Sequence, residues 1–404
     1  MKTKHGVQPA DEIKLHWILL GEILTWIGAS FIWPLTSVYL NQRLHISMSV
    51  VGVVLLLNSL ANVLGSFLAG RAYDRYDPYV LILTGSIGDA GVLFLMAFFH
   101  GWPQYCFWLV LTGFFGGWNG AMINSIATSL KSKPGRYVFN MVYFAQNLGV
   151  VAGTLIVGYL YDFSITVLFL VAAVLFLIVA VNAFFNYRPI REFHRERLQN
   201  QDDSSKKATA MPKANWKLTL GFFAMLTVSW LMYLNWESSL SVYMVSLGIP
   251  FHLYSLLWTL NAGIILVTQL VLTRFPNLFA TLFHQIAFGI CMLSLSFVTL
   301  IFAKDYPHFV LSMVILTLGE ATAFPAIPAY VNDLSPYDSK GKYQGLTLSA
   351  SAVGRALGPL LGGFLIDQLG YVPLFIIAAI AIFIGLLILI PLHQRLRHHL
   401  TFYR

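Results

Sequence analysis

Five charged side chains sit where charge is costly. Glu22, Asp89, Glu237, Glu320 and Arg355 lie inside stretches that are otherwise almost wholly apolar. At membrane depth an ionised group costs about 2.5–3.5 kcal/mol on insertion scales, so each must face protein or a wet cavity. A glutamate whose surroundings alternate between dry and charged can take a proton on one side and release it on the other. Asp89 could instead serve only as a hydrogen-bond partner for neighbouring helices. Counted from the same ends of their helices at about 1.5 Å per residue, Arg355 and Glu320 reach comparable depth. They could form a fixed structural pair or one that switches.

The elements that must carry these groups follow from composition. The chain has 404 residues, 57% apolar, 15% aromatic and 10% charged, with mean hydropathy +0.71. Soluble domains are about 45–50% apolar and about 25% charged. So few charges cannot cover a water-facing surface, which excludes a soluble enzyme or a disordered chain. Apolar runs long enough to span a bilayer lie at 15–40, 49–72, 79–100, 103–128, 137–161 and 164–187. Six more lie at 216–245, 252–273, 279–302, 307–331, 342–366 and 370–392. Helices are expected because backbone groups in lipid must bond internally, and the alternating ten-residue segments of a barrel are absent. The first run carries Glu22 and no convincing cleavage site, so it reads as a span rather than a leader.

Of the 25 Lys and Arg, 22 fall in the termini and even-numbered loops, two (Arg43 and Lys304) in the opposite loops, and one is Arg355. That asymmetry places both termini in the cytoplasm. It also explains the net charge of +8 without nucleic acid. Cys106 and Cys291 both lie in apolar runs of different halves and read as small core residues.

The polar stretch 188–215 separates six spans from six. It reads as a cytoplasmic linker between bundles at 1–187 and 216–404, with lipid or partner binding as its alternative role. The halves repeat. Gly153, Leu155, Gly158, Leu160 and Asp162 match Gly358, Leu360, Gly363, Leu365 and Asp367 at a constant offset. The expected fold is an all-α polytopic membrane protein, twelve transmembrane helices in two six-helix bundles. A 6+6 duplication suits a secondary transporter with its site near the midplane.

The loop after span two reads GRAYDRYDPY. It resembles the G-x-x-x-D-R/K-x-G-R-R/K motif of the major facilitator superfamily, keeping Gly70, Asp74 and Arg75. Asp77, Pro78 and Tyr79 replace the usual glycine and basic pair. The resemblance implies a cytoplasmic gate, with Asp74 at the N-terminus of span eleven and Arg75 reaching an acid such as Asp333. A solvated turn that orients the topology is the alternative. Within the superfamily, FNMVYFAQNLGVVAG at 139–153 and LGEATAFPA at 318–326 resemble the LmrP-type multidrug:proton antiporters. That likeness implies substrate and proton roles for Glu320 and Glu237. The group's acid in span five is replaced by Val142, span four lacks the arginine common in drug antiporters, and Thr154 stands where the antiporter motif has proline.

The resemblance also implies that spans one, four, seven and ten line the cavity, which puts Glu22, Glu237 and Glu320 on cavity helices and Asp89 elsewhere. Trp26, Trp33, Trp118, Asn119, Tyr143, Gln146, Asn147, Tyr233, Trp236 and Phe324 are the candidate substrate contacts. Aromatic walls with a few acids suit amphipathic or cationic organic substrates, while Trp and Tyr also form interfacial belts. Glycine pairs such as Gly149/Gly153 and Gly354/Gly358 allow close helix approach. The expected function is alternating-access transport in the cell membrane, foremost proton-coupled export of amphipathic or cationic drugs. A sugar, peptide, amino acid or lipid-like metabolite is the alternative cargo. An integral membrane enzyme or transporter-like sensor would not need the duplication. No ATP-binding, metal or nucleophile motif appears, so no cofactor or metal is expected. The partners are a small-molecule substrate, protons or another coupling ion, and the bilayer, with the chain acting as a monomer.

Overall fold

The computed structural model describes residues 13–73, 75–130, 135–191, 211–275, 277–336 and 340–403. Most of these residues are helical, with no strand among them, and each apolar run forms one helix long enough to cross a membrane. The first half contains α1 (Leu15–Arg43), α2 (Met48–Tyr73), α3 (Pro78–Phe98), α4 (Gln104–Ser129), α5 (Gly135–Phe163) and α6 (Ile165–Asn186). The second contains α7 (Lys213–Ser246), α8 (Phe251–Arg274), α9 (Leu282–Ile301), α10 (Tyr306–Leu334), α11 (Lys340–Leu369) and α12 (Tyr371–Leu396).

Local chemistry sets the boundaries and breaks. α1 is interrupted after Ala29 and resumes at Trp33, because Pro34 has no N–H to give the carbonyl four residues back. α7 is interrupted at Ser239. Asp305 caps α10 by accepting from the His308 N–H at 3.2 Å. The hydrogen bond from the His308 ring holds the Asp305 carboxyl below the usual carboxylate range. Ser164 and Thr281 cap α6 and α9 in the same way.

The chain divides into two compact units, Met1–Leu35 with Leu57–Asp203, and Thr36–Leu56 with Ser204–Arg404. The start of α2 therefore belongs with the second unit. Its first N–H groups, from Met48 and Ser49, donate to the Asp367 carboxylate of α11 at 3.2 and 2.7 Å.

The repeat is visible in how helices touch. In the first unit α5 lies on α1 at Gly149, where a Cβ would stand 2.6 Å from the Ile23 carbonyl oxygen. In the second unit α11 lies on α7 at the repeat-equivalent Gly354, where a Cβ would stand 2.4 Å from the Thr227 carbonyl oxygen. Any side chain there would force the backbones apart.

The residues that depart from the loop motif build a joint of their own. Asp77 accepts from the Tyr79 N–H at 3.0 Å and Pro78 opens α3, a favoured cap arrangement. The other Asp77 oxygen pairs with Arg191 Nε at 2.6 Å. The Arg191 guanidinium lies 4.4 Å over the Tyr79 ring, and the Tyr79 hydroxyl donates to the Phe184 carbonyl at 2.8 Å. α3 is thereby tied to the end of α6. Asp77→Ala should lose the cap, about 1 kcal/mol, together with the partly exposed ion pair, about 0–1 kcal/mol. Asp77→Asn keeps a capping side chain and should lose only the second. Thermal unfolding of both variants in detergent checks this; equal losses would mean that the ion pair, not the cap, holds the turn.

Candidate functional site

In the second unit, three helices meet at one carboxylate oxygen. Glu320 Oε2 on α10 accepts from the Tyr233 hydroxyl of α7 at 2.8 Å and from Asn261 Nδ2 of α8 at 2.9 Å. Asn261 Nδ2 also donates to Thr317 Oγ1 at 2.9 Å, and Thr317 donates to the Met313 carbonyl at 2.7 Å. Glu320 and Glu237 are both partly exposed, whereas Tyr233 and Asn261 are buried.

Aromatic rings pack beside this carboxylate. Trp230 stacks on Phe324 with centroids 4.4 Å apart and planes inclined at 23°. Tyr233 meets the edge of that stack, 5.3 Å from Trp230 and 5.6 Å from Phe324. Arg355 of α11 lies 4.9 Å over the Trp230 ring. Glu237, on the last turn before the α7 break, is within electrostatic reach of both Arg355 and Glu320. The Tyr254 hydroxyl donates to the Glu237 backbone carbonyl at 2.9 Å. Arg355 is thus associated with Glu237, while its expected neighbour Glu320 is engaged by Tyr233 and Asn261.

The helix carrying Glu320 contains Pro325 and Pro328. Pro325 cannot donate to the Ala321 carbonyl, one residue beyond Glu320. Gln269 of α8 supplies the missing donor, its Nε2 reaching the Ala321 oxygen at 2.8 Å. Gln344 of α11 likewise donates to the Pro328 carbonyl at 2.8 Å.

The first unit holds two carboxylates of its own, both buried. Glu22 accepts from Gln146 Nε2 at 2.7 Å, with the Trp26 indole and the Tyr187 hydroxyl nearby. The Tyr187 hydroxyl and Asn182 Nδ2 both donate to the Trp17 carbonyl, at 3.2 and 2.9 Å. Asp89 is buried on α3 and makes no hydrogen bond to another described residue.

Among the sequence candidates, Glu320, Glu237, Arg355, Tyr233 and Phe324 converge in the second unit, and Glu22, Gln146 and Trp26 in the first. Trp118 donates its ring N–H to the Leu81 carbonyl at 2.9 Å. Asn147 donates back to the Tyr143 carbonyl at 2.8 Å, Asn119 is buried, and Tyr143 is half exposed. Trp33 is partly buried. Trp236 is wholly buried in the second unit's core. Asp74 of the expected gate lies outside the described residues; a Cβ on Gly70 would meet open space, and the Asp333 carbonyl accepts from the Tyr403 N–H at 2.7 Å. Asn261 and Thr317 join the site without having been expected there, as does Trp258, whose ring meets Tyr233 edge-on with centroids 6.2 Å apart. The signal for Asn261 was a lone amide in the apolar run WTLNAGIILV. Among the described residues no cluster of His, Cys, Asp and Glu could hold a metal ion.

The sequence matches the Major Facilitator Superfamily profile over residues 18–294 and 238–402. The chain belongs to the major facilitator superfamily. It is accordingly a multi-pass membrane transporter, not an enzyme. It is 35% identical to the MFS-type transporter YttB of Bacillus subtilis (strain 168) over 354 residues, covering 87% of this chain and 88% of that one. The multidrug resistance protein MdtH of Salmonella arizonae is 22% identical over 370 residues, 90% of this chain and 88% of that one. A crystal structure of the peptide transporter POT in complex with sulfate superposes with TM-score 0.78 at 16% identity, covering 99% and 97% of the two chains. At that identity the likeness establishes the major facilitator fold alone.

Gln269→Leu should leave the Ala321 carbonyl without a donor and cost about 1–3 kcal/mol. Pro325→Ala restores a backbone N–H, so the double variant should recover most of the loss. A thermal-unfolding double-mutant cycle measures this; additive losses would show that the Gln269 contact does not stand in for the missing helix bond.

Proposed function

We propose that this protein is a proton-coupled exporter of amphipathic or cationic organic compounds, working by alternating access across the cell membrane with both termini cytoplasmic. The moving bodies are the sequence halves 1–187 and 216–404, joined by the 188–215 linker. The observation that carries the reading is the Glu320 carboxylate, held at membrane depth by Tyr233 and Asn261 beside an aromatic wall. Both partners are donors and Glu320 is not ion-paired to either, so it can hold a proton or release it without losing its position. The aromatic wall supplies apolar contact and cation–π attraction. The likeness of LGEATAFPA to the LmrP-type antiporters and the name of the distant relative MdtH favour drug export over a sugar, peptide, amino acid or lipid-like cargo.

Glu320→Gln keeps the shape and removes the titration. In proteoliposomes with an imposed pH gradient it should abolish uphill accumulation of a lipophilic cation while leaving exchange partly intact. Wild-type response to the gradient would remove Glu320 from the coupling step. Glu237→Gln should weaken cationic substrates more than neutral ones, since one charge-assisted contact contributes about 1.5–3 kcal/mol. Binding titrations with a matched charged and neutral pair read this directly, and equal weakening would assign Glu237 to proton handling or structure.

A further inference from the structure

Arg355 lies midway along α11, about 20 Å from either helix end at 1.5 Å per residue. A cation at that depth is retained only where something compensates it. The guanidinium carbon stands 4.9 Å from the centroid of the Trp230 ring, and Trp230 stacks on Phe324. Glu237 is close enough to feel the charge, yet no described carboxylate makes an ion pair with Arg355. No described acceptor takes a hydrogen bond from its side chain, and the residue is exposed. A guanidinium seated over an aromatic ring with an unused donor fork is matched to a planar, bidentate acceptor.

We infer that Arg355 is a specificity residue that receives a carboxylate on the cargo, so that the preferred cargo is an aromatic amphipath bearing an acid group as well as a cationic one. This rests on the exporter reading and narrows it. The ligand's rings would extend the Trp230–Phe324 stack, and its cationic end would face Glu237 and Glu320. A zwitterion meets both signs at the site, whereas a plain lipophilic cation leaves the Arg355 fork unpaired, and a site built to pair a polar ligand group rejects the analogue that lacks it. Arg355 touches cargo in this arrangement and takes no part in moving the proton.

Rhodamine 110, a free carboxylic acid, and rhodamine 123, its methyl ester, differ only at that group. Fluorescence polarisation on the full-length protein in detergent, without a gradient, measures both. The wild type should bind the acid about tenfold or more tightly than the ester. Arg355→Gln should erase that preference by weakening the acid alone, and Arg355→Lys should recover part of it, since an ammonium restores the charge without the fork. Ester binding retained by Arg355→Gln reports that the variant is folded, and the wild-type comparison stands without any variant. Equal affinities in the wild type, tighter binding of the ester, or parallel weakening of both dyes by Arg355→Gln would overturn the inference. Binding of neither dye would overturn it together with the aromatic-cargo reading. The acid preference accompanied by no gradient-driven transport would instead uphold the inference and overturn the coupling.

Discussion

A polar group in lipid has no water to fall back on, so every donor and acceptor removed from the helical ladder needs a partner supplied by the protein. The arrangement around α10 is governed by that requirement. Pro325 removes the donor owed to the Ala321 carbonyl, and Gln269 of α8 replaces it. The same two helices are joined again about two turns along α8, where Asn261 bridges Thr317 and Glu320. The contacts that satisfy the backbone and those that hold the titratable carboxylate therefore belong to one seam. Tyr233 extends the seam to α7. Glu320 owes its position to helices that would be joined there even without it.

The two sequence halves use a shared packing scheme for different chemistry. Close glycine contacts unite α1 with α5 and α7 with α11. On that common frame the first unit buries Glu22 against Gln146, an isolated acid with a neutral amide. The second assembles two acids, a guanidinium and an aromatic stack. The repeat gives both halves the same glycine contacts, while the carboxylates occupy different positions on them: a neutral-partnered Glu22 in one half and a mixed-charge cluster in the other.

Much of this was legible in the sequence. Twelve apolar runs, the repeat at Gly153 and Gly358, and the need of Glu320, Glu237 and Arg355 for compensating surroundings followed from spacing and charge cost. What escaped has a physical cause. A lipid-facing surface is as apolar as a core, so these helices carry no amphipathic stripe to say which face is buried. Trp236 and Tyr233, three residues apart, look equivalent in sequence, yet one is wholly interior and the other holds Glu320. Asn261 was overlooked because it is uncharged and lies on a helix outside the expected cavity set. The grouping of 36–56 with the second unit reflects contacts far apart in sequence, among them the Asp367 carboxylate accepting from the first turn of α2 and Gly363 lying against Met48.

The glycine contacts also bear on how far such a sequence can drift. Where α5 meets α1 and α11 meets α7, the atoms in closest approach are main-chain atoms, which every residue type possesses. Only the absence of a side chain at a few positions is demanded there. Neighbouring positions on the same helices are free to exchange one apolar residue for another, so ancestry can fade from the letters while the architecture stays intact. A superposition of TM-score 0.78 at 16% identity is the outcome expected of a frame assembled in that way.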